Sequence, residues 1–121
     1  MLAADPKAVE ERLRELALAL PETTEKLSHG SPAFFVAGKM FAYFWHNHHG
    51  DGMTIACVKT SGRDEQDLLI EADPGTYSWP RYTGPSGWIA INLAEPDWEL
   101  VRARLLTSWR LAAPKRLAAA V

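Results

Sequence analysis

Ala33-Phe34-Phe35-Val36-Ala37-Gly38-Lys39-Met40-Phe41-Ala42-Tyr43-Phe44-Trp45-His46 is the stretch that decides the fold. Two β-like runs, 33–37 and 40–46, are separated only by Gly38-Lys39, a two-residue hairpin turn. The second run carries Phe41, Tyr43, Phe44 and Trp45. Successive side chains of a strand point to opposite faces, so large aromatics at adjacent positions imply a strand covered on both sides. A third run, 53–59, follows the polar loop Asn47-His48-His49-Gly50-Asp51-Gly52. Short links between three strands specify an antiparallel sheet.

Outward from this sheet, Asp5-Pro6 reads as an N-cap with proline in the first helical turn. Val9, Leu13, Leu16, Ala17 and Leu20 recur at helical spacing, which predicts an amphipathic helix over 6–19, stopped by Pro21. Residues 21–32 read as a polar connector. Beyond the third strand, Ser61 is placed to cap a second helix with Asp64 in its first turn and Leu68, Leu69 and Ala72 as its apolar stripe; Asp73-Pro74-Gly75 ends it. Residues 74–87 are rich in Pro, Gly and aromatics, a loop with a short strand near 76–79. Residues 88–93 alternate cleanly, with Ile89, Ile91 and Leu93 on one side and Trp88, Ala90 and Asn92 on the other. Glu95-Pro96-Asp97 opens a last long helix with Trp98, Val101, Leu105 and Trp109 on one face; Pro114 breaks it and a short helix over 115–120 follows. The order is α-β-β-β-α-β-β-α, an α+β fold with an antiparallel sheet of about five strands, in a single domain over 1–121.

The 121 residues are 47% hydrophobic and 23% charged, the balance of an ordinary globular protein, so a disordered tail, a fibre and a disulfide scaffold are excluded. Apolar runs are short and broken, so no membrane span is expected, and no secretory signal is visible at the start. A lone cysteine, Cys57, fits a reducing cytoplasmic setting. Net charge is −2, which argues against a generally phosphate-coating protein. The charge is uneven, however: residues 1–73 hold seven basic and twelve acidic side chains, and residues 74–121 hold six and three. This is either helix ends and solvated faces or a local phosphate-binding patch.

Several clusters bear on chemistry. His46 and His48 share a face if the strand continues, with Asp51 as a candidate third metal ligand, but the spacing is weakly specific and ordinary turn chemistry is the preferred explanation. Cys57 lies among Ile55, Ala56 and Val58 and reads as a small buried hydrophobe rather than a nucleophile. No serine sits in a nucleophile elbow, and there is no phosphate loop with its lysine. Trp79, Arg81, Tyr82 and Trp88 form an aromatic-plus-arginine group that either stacks on bases or pins the loop to the core. Lys39 and Lys59 flank strand ends, as edge lysines or phosphate contacts.

As a set, these residues resemble the MmcQ/YjbR-like family of small bacterial proteins. The matching pieces are Leu20-Pro21-Glu22-Thr23-Thr24-Glu25, His29-Gly30-Ser31-Pro32-Ala33-Phe34, Gly38-Lys39-Met40-Phe41-Ala42, Asn47-His48-His49-Gly50-Asp51-Gly52, Gly87-Trp88-Ile89 and Ser108-Trp109-Arg110-Leu111-Ala112-Ala113-Pro114-Lys115-Arg116. Trp109 stands where the family usually has Tyr. The resemblance implies a compact α+β domain of the double-wing, bacterial frataxin-like kind, commonly labelled DNA-binding. It implies no catalytic residue and no cofactor. A frataxin-like shape also raises iron binding through an acidic first helix, but Arg12 and Arg14 interrupt Glu10, Glu11 and Glu15.

Three functions follow as expectations. The first is a non-catalytic DNA-binding protein, with Lys39, Lys59, Arg63, Arg81, Arg110, Lys115 and Arg116 on phosphates and Trp79 and Tyr82 stacking; it requires these cations to share a face. The second is a small-molecule or metal-binding protein using His29, His46, His48, His49, Asp51 and Trp88; it requires the histidines to converge on a hollow. The third is a protein-interaction adaptor presenting the loop 76–88 as an apolar patch.

Overall fold

The computed structural model describes residues 5–119 and Val121. Helix α1 (Pro6–Leu18) is followed by strands β1 (Thr23–Ser28), β2 (Ser31–Val36), β3 (Lys39–His46) and β4 (Thr54–Val58). Helix α2 (Arg63–Ala72), strands β5 (Tyr77–Ser78) and β6 (Ile89–Asn92), and helices α3 (Trp98–Ala112) and α4 (Lys115–Ala118) complete the chain. The strands form one antiparallel sheet in the order β1-β2-β3-β4-β6-β5. The α+β class and the expected succession of elements hold, with six strands instead of five.

The additional strand is β1, inside the stretch expected to be a connector. As an edge strand it carries mostly polar side chains, and its one apolar residue, Leu27, is exposed, so apolar alternation is missing. Its hairpin partner fixes it: Thr23 pairs with Val36 and Ser28 with Ser31, around a two-residue turn in which His29 (φ +53°) and Gly30 (φ +79°) both take positive φ. That is the backbone a tight hairpin requires. The next turn is shifted by one residue from expectation for the same reason. Ala37 (φ +50°) and Gly38 (φ +77°) make it, and Lys39 already belongs to β3.

Helix starts also differ in detail. Ser61 does not cap α2; Gly62 holds the N-cap position, and the Glu65 carboxylate instead accepts the Ser61 N–H at 2.8 Å. Helix α3 begins at Trp98, after Asp97 rather than at Glu95, because the Asp97 carboxylate accepts the N–H groups of Glu99 and Leu100. Helix α4 ends at Ala118; Ala120, expected in it, lies outside the described residues.

The two faces of the sheet meet different partners. Phe34, Phe41, Phe44, Ile89 and Ile91 face α1 and α3 and build the main core with Leu13, Leu105 and Trp109. Trp109 is wholly buried, and its indole Nε1 donates to the Pro21 carbonyl at 3.0 Å, tying α3 to the entry of β1. On the other face Ala33, Tyr43, Trp45, Ile55, Cys57, Trp88 and Ala90 form a second cluster, with Phe35 and Met40 at its margin. Among the described residues no α-helix supplies a side chain to this cluster. The loop 79–88 covers only part of this face, and that decides where a ligand can reach.

Candidate functional site: an aromatic groove on the open sheet face

The loop is held by buried polar groups. Gln66 of α2 donates from Nε2 to the carbonyls of Gly84 and Trp88, at 2.9 and 2.6 Å. Thr60 Oγ1 donates to the Gly87 carbonyl at 2.6 Å, and the Tyr43 and Thr83 hydroxyls are 2.8 Å apart. A Cβ on Gly84 would run into the Trp79 indole. Thr83, Gly84, Gly87 and Trp88 are therefore packed down, while Trp79, Arg81 and Tyr82 stand out to solvent. Trp88, expected at a ligand, is a wall of the core: it is buried, and its ring lies 5.8 Å from that of Tyr43.

Histidines reach the same face from two turns. Asn47 takes φ +50°, which turns the chain back after β3. His48 thereby lies flat on Trp45, with centroids 3.7 Å apart and planes at 7°. His29, in the β1–β2 turn, meets Tyr82 edge-on at 5.1 Å. His46 goes elsewhere. It has the strand parity of Phe44, opposite to Trp45, and its Nδ1 lies 2.8 Å from Thr54 Oγ1. The expectation that His46 and His48 share a face fails because the strand ends at His46 and the chain reverses at Asn47. The His49 side chain lies outside the described residues. Among the described residues no three His, Cys, Asp or Glu side chains gather as a metal would need.

Two hollows result. One, of about 520 Å³, is lined by His29, Trp45, His48, Arg81 and Tyr82. The other, of about 250 Å³, has Trp45, His48 and Arg81 in common with it and adds Asp51, Met53 and Trp79 among its walls. They meet at Arg81, forming one groove with an exposed aromatic at either end. Arg63 sits over the Trp79 ring, 5.0 Å from its centroid. Two residues behind this site were not anticipated: Trp45 in the groove wall, legible only as an aromatic of opposite parity to Phe44, and Gln66, the buried polar residue of α2 that anchors the loop.

The remaining cations do not join it. Lys39 and Lys59 sit at one end of the sheet, where the Lys59 N–H bonds the Phe41 carbonyl and its own carbonyl accepts from Ser108. Arg110 donates to the Val121 carbonyl at 3.1 Å, and Arg116 pairs with Glu22 at 3.7 Å. These two, with Lys115, belong to α3 and α4 on the helical side. Beside the loop, α2 exposes Asp64, Asp67 and Glu71. On the first helix Arg14 binds Glu10, Glu11 and Glu25, and Arg12 binds Glu15. Hydrogen bonds to the Glu25 and then the Glu10 carboxylate raise the Arg14 guanidinium above its ordinary value.

Two titratable side chains, Tyr43 and Cys57, are buried on this face of the sheet. Burial pushes the Cys57 thiol up to about 12, so a thiolate nucleophile is absent at neutral pH. Burial likewise raises Tyr43 far above the usual phenol range.

The fold and site define a small α+β protein with one open, aromatic sheet face. The sequence profile of the YjbR family matches residues 18–111, and the chain belongs to that family. Among solved structures it is similar to the Deinococcus radiodurans protein DR2400, domain DUF419, with a TM-score of 0.66 and 20% identity over 82% of this chain and 74% of that one. At that identity the likeness speaks for the fold. No curated protein matches the sequence. Among the described residues no helix is long and apolar enough to cross a membrane.

Proposed function

We propose that this protein is a non-catalytic DNA-binding module that takes single-stranded DNA on its open sheet face, by stacking bases rather than by coating phosphates. One observation carries the reading. Tyr82 and Trp79, 56% and 45% exposed, stand at either end of a groove with Arg81 between them. Exposed aromatics beside an arginine suit unpaired bases, whose π-faces are all usable. The same reading accommodates the net charge of −2, because few phosphates are neutralised. Duplex binding through a broad basic face draws no support, with Arg110, Lys115 and Arg116 on the helical side and the carboxylates of α2 beside the loop. The cytoplasm is the compartment that suits the lone Cys57 thiol.

A second reading keeps the groove and replaces DNA by a free planar anion. It is favoured by the imidazoles of His29 and His48, which line the larger hollow together with Arg81.

Fluorescence anisotropy with a short single strand and its duplex tests the first reading across a range of salt. Arg81, the cation that lines both hollows, predicts a shallow slope of log K against log salt, about −0.7 for single strands. A preference for duplex, or a much steeper slope lost on reversing Arg110, Lys115 and Arg116, would refute base stacking as the mode.

A further inference from the structure

We propose that the groove's unit ligand is a dinucleotide, two bases joined by one phosphodiester, with the phosphate at Arg81 and one base in each hollow. The inference rests on the open sheet face being the ligand site and gives that site a length and a polarity.

The two hollows share Arg81, Trp45 and His48 but differ in their far walls. One ends at Tyr82 and His29, the other at Trp79 and Asp51. Among the described residues Arg81 is the one guanidinium that lines both hollows, so the groove has one anion position, flanked by flat surfaces. A linear chain of base, phosphate and base has that same order of parts.

The bases cannot be sandwiched between Trp45 and Tyr82. Their centroids are 6.5 Å apart and tilted by 39°, and a ring between them needs two contacts of about 3.5 Å in a parallel slot. Each base must therefore lie on an outward surface: one against Tyr82 and the His48 ring that already covers Trp45, the other against the Trp79 end. Asp51 distinguishes the ends. Its Oδ1 accepts the Met53 N–H at 2.9 Å, and the carboxylate repels a second phosphate while accepting from the N–H groups of a base edge. A base with an amino or imino donor belongs on the Trp79 side.

The same chemistry has two sources, a step of single-stranded DNA or a free dinucleotide, linear or cyclic. The full-length protein is titrated with a mononucleotide, a linear deoxydinucleotide, a cyclic dinucleotide and a longer single strand. Amide chemical shifts and competition against a labelled oligonucleotide report binding. The expected result is a dinucleotide at least about tenfold tighter than the mononucleotide, from one added stacking contact. Arg81→Ala and Tyr82→Ala, both at exposed positions, each lose about tenfold, while Lys115→Ala on the helical side changes nothing. Urea midpoints for the variants separate lost binding from lost folding. Binding of a linear or cyclic dinucleotide without the longer strand supports the inference and assigns a free dinucleotide as the source, while overturning the DNA reading. Binding of the strand with no dinucleotide competition overturns the inference and leaves the DNA reading standing. Equal affinity for mononucleotide and dinucleotide also overturns the inference, and no binding by any probe overturns both.

Discussion

The imidazole of His48 lies on the indole of Trp45 with centroids 3.7 Å apart and planes 7° from parallel. The contact closes one side of a core tryptophan that no α-helix among the described residues covers, and it supplies the flat floor at which the two hollows meet. It depends on the backbone reversal at Asn47.

Replacing His48 by Ala uncovers the Trp45 ring. The expected cost in stability is modest, about 0.5–1.5 kcal/mol for a stacked ring pair. Nucleotide affinity falls by a larger factor than Lys115→Ala produces, and Trp emission shifts to the red. Unchanged emission would mean that the ring pair is not held in solution.

Tyr43 and Thr83 anchor the loop through a buried hydroxyl pair 2.8 Å apart. Tyr43→Phe or Thr83→Val leaves the other hydroxyl buried without that partner, at about 1–3 kcal/mol. The double variant removes both hydroxyls, so its loss in urea denaturation is smaller than the sum of the single losses. Strict additivity would show that the two do not bond.

Gly84 is a matter of space rather than of backbone freedom, since a Cβ there meets the Trp79 indole. Gly84→Ala forces the indole or the loop to shift, at about 1–3 kcal/mol. It also disturbs the stack of Arg63 on Trp79, so the variant binds nucleotides more weakly as well as melting earlier. Wild-type melting with wild-type affinity would contradict this packing.

Glu65 holds the start of α2. The Ser61 N–H bonded to its carboxylate, more than Arg104 at 3.4 Å, lowers its pKa below the ordinary glutamate value. A lowered folded-state value stabilises the fold above the unfolded pKa, and the gain disappears as pH falls through the folded value. Glu65→Gln therefore costs about 0.5–1 kcal/mol at neutral pH, and wild type and variant converge in acid. Urea midpoints at neutral and acidic pH check the sign.

Strong local patterns were legible wherever one residue type does one job. Apolar spacing marked α1 and α3, alternation marked β6, and consecutive aromatics marked β3 as covered on both faces. Strand β1 escaped because its polar side chains record an edge, and only pairing with β2 reveals it. The histidine cluster misled for a related reason. Spacing along a strand predicts a shared face only while the strand continues, and a single positive φ at Asn47 separated His46 from His48.

The sequence by itself determined the α+β class, the order of its main elements and the family, because these rest on periodicity and on motifs contiguous in the chain. Only the tertiary structure decided which polar and aromatic residues meet. His29, His48, Arg81 and Tyr82 come from three separate turns and loops, and they converge because β1 to β4 lie side by side and the loop 79–88 folds back across them. The cations expected to act together were divided in the same way, with α3 and α4 on one face of the sheet and the groove on the other. A sheet two faces thick separates neighbours in sequence and joins residues far apart in it, and no linear pattern encodes that sorting.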